Sequence, residues 1–210
     1  MVLSVSLKAL AAAALLASAG CASVLAPALK PNVSTEATAL RAGAYELDKA
    51  HAALLFGIDH LGFSTFTGRF ERFDVSLDFD ADNPQAARIE AVIDMTSLDI
   101  ANDEFAATLM GPDWFDAGAY PEATFRSTAI TLAGDNTGEM TGDLTLHGVT
   151  LPVTFAVTFN GGGRDRLRGA YIVGFSAHAG IDRTAFGVSR FSGLITDDVE
   201  ITIEAEFIRK

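Results

Sequence analysis

The chain has a single cysteine, Cys21, so no disulfide within it is possible. Its longest early apolar run, Ala9 to Ala17, is too short for a comfortable membrane span. Cations are scarce. Fifteen Lys and Arg face 27 Asp and Glu, for a formal net charge of −12, and no compact basic patch offsets this. Nucleic acid is a poor partner for such a surface, because its affinity rests on Lys and Arg meeting phosphates. Electrostatic adsorption to anionic lipid is disfavoured for the same reason. Catalytic patterns are missing too. No serine stands in a G-x-S-x-G elbow, and His51, His60, His147 and His178 lack a close His or Cys partner at ligand spacing. Asp48, His51, Asp59 and His60 are the nearest approach to a metal set, but strand alternation sends Asp59 and His60 to opposite faces. Asp48 and His51 read more simply as a turn, and His60 as a strand end. No catalytic residue, metal or cofactor is assigned, and an enzyme acting on a lipid would lack its nucleophile.

The N-terminus carries Lys8, the short apolar run and then Ser18-Ala19-Gly20. This is the pattern of a secretory signal, which assigns residues 1–20 to a leader and predicts export to the periplasm. Cys21 after Ala-Gly resembles the lipobox of bacterial lipoproteins, although Ser18 stands where that motif usually has Leu. Two outcomes stay open: Cys21 lipidated as the first mature residue and a membrane anchor, or an ordinary signal peptide cut nearby to give a soluble periplasmic or secreted protein. Residues 21–44 are rich in Ala, Pro, Ser and Thr without a sustained period, and read as a flexible tether.

The globular part, residues 45–210, is dominated by alternation. Met140, Gly142, Leu144 and Leu146 share one parity, as do Val153, Phe155, Val157 and Phe159 on a second limb. Successive strand side chains point to opposite faces, so each limb has one apolar face. His147-Gly148 joins the limbs as a hairpin turn, with Gly148 taking positive φ. The same pattern predicts strands over 45–47, 54–58, 67–80, 88–95, 123–132, 167–178 and 197–207. Gly161-Gly162-Gly163 reads as a loop after the hairpin, and residues 181–192 as an irregular loop. One stretch breaks the rule. Asn102 is placed to cap a helix over 101–110, Asp103 and Glu104 suit its first turn, and Phe105 and Leu109 share a face. About eight strands and one short helix predict an all-β fold, an eight-stranded antiparallel barrel closed by its last strand meeting its first.

There are fifteen phenylalanines against one tryptophan and three tyrosines, most of them at inward parities or in the loops beside the helix. Parity selects Phe56, Ile58, Phe73, Val75, Ile93, Leu144, Phe155, Val157, Phe175 and Ile201 as lining candidates. Gly142, Ala91 and Ala205 share the inward face, and small side chains there leave room. Two readings follow from pattern alone. Either the barrel is hollow and binds a long apolar ligand, or small residues face large ones and the core is solid. A solid core would make the protein an interaction module of the envelope.

Four segments carry a resemblance: YELDKAHAALLFGIDHLGFSTFTGRF (45–70), GPDWFDAGAYPEATFRST (111–128), GDLTLHGVTLPVTF (142–155) and IDRTAFGV (181–188). In this order and spacing the chain, from Tyr45 to Phe207, resembles the YceI-like family of bacterial exported lipid-binding proteins. The resemblance implies a lipocalin-like barrel with a helix between strands, and an elongated apolar cavity for a polyisoprenoid or similar long-chain lipid. It implies no metal and no established reaction. His51, His60 and Arg183 match family motif positions. Arg183 is expected to pin its loop through backbone carbonyls in preference to touching a ligand. Many relatives carry a charged Asp and Arg around the helix, where this chain reads FAATLM.

Overall fold

The computed structural model describes residues 27, 29–80 and 82–210. Residues 1–20, read as a leader, and Cys21 lie outside the described residues. Ten strands follow in order: β1 Gly43–His60, β2 Ser64–Phe70, β3 Phe73–Phe79, β4 Arg88–Asp94, β5 Leu98–Asp99, β6 Glu122–Leu132, β7 Thr137–Leu146, β8 Val149–Asp165, β9 Ala170–Asp182 and β10 Asp198–Arg209. The helix α1, Asp103–Leu109, sits between β5 and β6. Among the described residues no helix is long and apolar enough to cross a membrane.

Eight strands close antiparallel in the order β1-β3-β4-β6-β7-β8-β9-β10, with β10 returning to β1. The closing ladder runs from Tyr45↔Arg209 to Ile58↔Val199 and is interrupted once, between Leu47 and Ala52. The expected strands 45–47 and 54–58 are therefore one strand with a bulge. Across the bulge the inward parity changes, from Tyr45 and Leu47 to Leu54, Phe56 and Ile58, because β1 takes five residues from Leu47 to Ala52 where β10 takes two, and an odd excess moves every later side chain to the other face. The strand expected over 67–80 is split for the matching reason. β3 pairs with the first part of β1 and β2 with the second, and the break between them lies beside the bulge. Glu71 and Arg72 instead hydrogen-bond to Ser97, at 3.0 Å each.

Local signals set the remaining elements. Asn102 Oδ1 accepts the Phe105 N–H at 3.0 Å and caps α1. His147 and Gly148 both take positive φ, 52° and 75°, in the two-residue turn of the β7–β8 hairpin. Glycine 142 does not contribute empty space. A Cβ there would lie 2.3 Å from the Phe125 ring, which already fills the position.

The glycine triplet is not a loop. It lies within β8, and its lack of side chains serves a second segment. Ser34 pairs with Gly162 through two backbone hydrogen bonds of 3.0 and 2.9 Å. A Cβ on Gly162 would lie 2.7 Å from the Ala39 carbonyl, and one on Gly163 2.7 Å from the Asn32 carbonyl. Residues 32–42, within the stretch read as a tether, thus lie across one end of the barrel as a strap. Ala39 is buried there. The Tyr171 hydroxyl donates to the Ala39 carbonyl and the Tyr45 hydroxyl to the Arg41 carbonyl, both at 2.6 Å. The Arg41 guanidinium rests 4.0 Å from the Tyr171 ring centre.

On the outer face the acids are tied into local hydrogen bonds. The Thr96 hydroxyl and the Arg72 guanidinium hold Asp94 below the usual carboxylate range. Arg168 does the same for Asp165, and Thr184 for Asp182. Groups with depressed folded-state pKa stabilise the fold fully above their unfolded value, about 4. That stabilisation is lost as pH falls through the lower folded values. The melting temperature is therefore expected to hold from neutrality down to about pH 5 and to drop below pH 4. A melting temperature that falls between pH 7 and pH 5 would contradict these assignments. A second expectation concerns the strap. Gly162→Val should lift residues 32–42 and speed tryptic cleavage after Arg41 while the barrel still unfolds cooperatively; unchanged cleavage would mean the glycines do not seat the strap.

Candidate functional site

The inward faces of the strands do not meet. They enclose a cavity of about 1030 Å³. This lies at the upper end of ordinary ligand pockets. All ten residues selected by parity line it: Phe56 and Ile58 of β1, Phe73 and Val75 of β3, Ile93 of β4, Leu144 of β7, Phe155 and Val157 of β8, Phe175 of β9 and Ile201 of β10. Ala91 and Ala205 line it as well, so these two small residues do contribute room. The cavity is elongated. Val199 and Phe207, toward the two ends of β10, both border it, a separation of roughly 26 Å at about 3.3 Å per residue.

Polar side chains are confined to its ends. At the strap end stand Thr38, Arg41, Asp135, Asn136, Thr137 and Glu139. At the opposite end, beside α1, stand Asp59, His60 and the buried Arg183. The wall between them is aliphatic and aromatic, and α1 adds Phe105 and Leu109, the pair expected to share a face. Sequence reasoning missed three contributors. The strap carried no period to mark it. Trp114 and Phe115 lie in an irregular connection. Phe191 lies in the loop before β10, where alternation says nothing. The triplet at 161–163 was the available signal for the strap, since consecutive glycines in a strand mark a close backbone approach.

Among the described residues, Asp48, His51 and Glu206 bring ligand atoms within 4.8 Å of one another. The Arg168 guanidinium already occupies that cluster. It donates to Asp48, to Glu206 at 2.9 Å and to Asp165 at 2.7 Å, so the acids have their cation. Asp59 and His60 do not join them. Asp59 Oδ1 accepts the Gly62 N–H at 2.8 Å and closes the turn after β1.

The barrel and its helix match the fold of known proteins. A family model described as YceI-like domain matches residues 45–207. The chain belongs to the YceI-like family. A UPF0312 protein of Pseudomonas savastanoi pv. phaseolicola is 37% identical over 168 residues, covering 79% of this chain and 86% of that protein. Among solved structures, BcnA of Burkholderia cenocepacia matches with a TM-score of 0.69 and 29% identity, over 76% of this chain and 98% of that one. A polyisoprenoid binding domain from Saccharophagus degradans shares the fold at a TM-score of 0.57 and 17% identity, over 79% of this chain and 98% of that one.

Of the positions that carried the resemblance, His60 and Arg183 border the helix end of the cavity and His51 does not line it. His51 is exposed on the bulge of β1, with Nδ1 2.9 Å from Asp48. His60 ends the strand. His147 stacks on Tyr120 and places Nδ1 3.2 Å from the Phe186 carbonyl oxygen. Arg183 is buried. Its Nη1 donates to the carbonyls of Val188 at 2.7 Å and Arg190 at 2.9 Å, its Nε to Thr196 at 3.2 Å, and its Nη2 to Asp197 at 2.6 Å. One guanidinium thereby holds both limbs of the loop between β9 and β10. Arg183→Leu should cost about 3 kcal/mol, because carbonyls and a carboxylate lose a buried partner. Urea unfolding measures this; a loss under about 1 kcal/mol would show that the loop holds itself.

Proposed function

We propose that the protein binds and carries a long-chain isoprenoid or similar amphiphilic lipid, held lengthwise in the barrel. The observation that carries this reading is the cavity itself, elongated, apolar through its middle and polar only at its ends. Such a space suits a molecule with a long hydrocarbon chain. Roughly 100 Å² of apolar chain removed from water contributes about 2.5 kcal/mol, before the ligand's ordering is subtracted. Membership of a family that includes binding domains, and the fold shared with a polyisoprenoid binding domain, point the same way. An interaction module with a solid core is disfavoured by the size of the void. On this reading the protein works in the periplasm, exported by its leader and tethered to a membrane through Cys21.

The strap end, with its hydroxyls, amide and mixed charges, suits the ligand's polar group, and the helix end suits the tail. Val75 and Val157 face the middle of the cavity from opposite parts of the wall, on β3 and β8. Val157→Trp and Val75→Trp should each lower uptake of a polyprenyl lipid at least tenfold, measured by native mass spectrometry, with thermal unfolding retained. Uptake unchanged in both variants would remove the cavity as the binding site.

A further inference from the structure

At the helix end the cavity's apolar wall does not stop at the mouth. Phe66 and Phe105 line the cavity there with ring centres 5.9 Å apart, and Trp114 and Phe191 line it with ring centres 6.0 Å apart. Beyond them apolar side chains continue into solvent. Phe63 is 87% exposed, Leu194 64% and Phe191 51%. Leu61 is exposed as well. These residues come from separate elements: the β1–β2 turn carries Leu61 and Phe63, α1 carries Phe105, and the loop before β10 carries Phe191 and Leu194. Leu61 and Phe63 follow the cavity residues Asp59 and His60, and Leu194 stands between the cavity residues Phe191 and Ile195, so all of them border this end.

Two of them occupy backbone positions where an apolar residue is locally disfavoured. Leu61 has φ of 60° and Phe191 φ of 57°. Gly or Asn would hold such conformations with less strain. The nearby charges are mostly tied. Asp59 is spent on the turn, and Arg190 lies over the Phe191 ring at 4.7 Å and pairs with Asp113 at 3.6 Å. Asp103 and Glu104 of α1 remain exposed, on a chain of net charge −12.

We propose that this ring is a membrane-docking surface that seats on the neutral, zwitterionic face of a lipid bilayer and sets the mouth of the barrel against the lipid. The role given to the mouth rests on the carrier reading. Exposed aromatic and leucine side chains gain by entering the headgroup boundary. A flat protein partner would cover the ring but leave the opening at its centre unfilled, whereas a bilayer supplies what fills it. The acidic surface excludes anionic lipid as the electrostatic attractor, so association depends on apolar contact alone.

The test uses the chain from residue 22, which omits the leader and Cys21 and keeps every contact described above. Flotation with phosphatidylcholine vesicles should carry the wild type, undiminished by high salt and weakened by added phosphatidylserine. Phe63→Ser with Leu194→Ser changes two residues outside the cavity wall. It should weaken flotation at least about tenfold while polyprenyl lipid delivered from cyclodextrin loads as in the wild type. Leu61→Asn should also weaken flotation, and it should raise the melting temperature, because Asn suits the turn; this separates docking from folding. Wild-type chain that stays behind the vesicles, or variants that float equally well, would overturn the proposal. So would a wild type that ignores vesicles but dimerises through the ring in sedimentation. If neither protein loads lipid from cyclodextrin yet flotation depends on the ring, the docking surface stands and the carrier reading falls.

Discussion

The ladder between β1 and β10 is the interaction on which the rest of the structure depends. It turns a sheet with two hydrogen-bonding edges into a closed wall, and closure gives every strand one face that water does not reach. Once closed, the barrel's width is set by strand number and not by the size of the side chains inside. Eight strands leave an interior that side chains of one parity can fill or leave partly empty. Here the inward side chains leave a void of about 1030 Å³. Where the wall does fill, it does so locally, as when the Phe125 ring takes the space of Gly142.

Much of this was legible in the sequence. Alternation identified the inward residues correctly because each strand has one wet and one dry face. Phe73 to Phe79 and Val199 to Phe207 illustrate this. The capped helix was legible through Asn102 and the Phe105–Leu109 pair. What failed has a physical cause in each case. The parity of inward residues switches between Phe66-Gly68-Phe70 and Phe73-Val75, and that switch was the trace of the break read as one strand. The triplet 161–163 looked like a loop because glycine is usually local punctuation. Here it answers a segment 128 residues earlier in the chain at the Ser34–Gly162 bridge (162 − 34), whose backbone presses on β8. Hollowness was undecidable from pattern, since an alanine facing a void and a glycine facing a phenylalanine ring look alike in one dimension.

The two ends of the barrel are built differently. One is crossed by the strap, held by two tyrosine hydroxyls and a backbone bridge, and bordered by polar side chains. The other is a ring of aromatic and leucine residues, with the Arg183 guanidinium fixing the loop that presents Phe191 and Leu194. An amphiphile oriented with its polar group at the strap and its tail toward the ring matches both. The match to the YceI-like domain begins at Tyr45, so the strap lies outside the matched region and rests on glycines within it. The ion pairs on the outer face, and the Arg168 cluster among them, belong to the wall's solvated side and take no part in this arrangement.

The claim at the centre of this account is that the barrel holds a lipid. Native mass spectrometry of the chain purified without detergent from a bacterial envelope, followed by solvent extraction, tests it most directly. The account predicts a discrete added mass that extraction releases as a long-chain isoprenoid or similar amphiphile. A bare chain that also refuses polyprenyl lipids supplied in excess would contradict it.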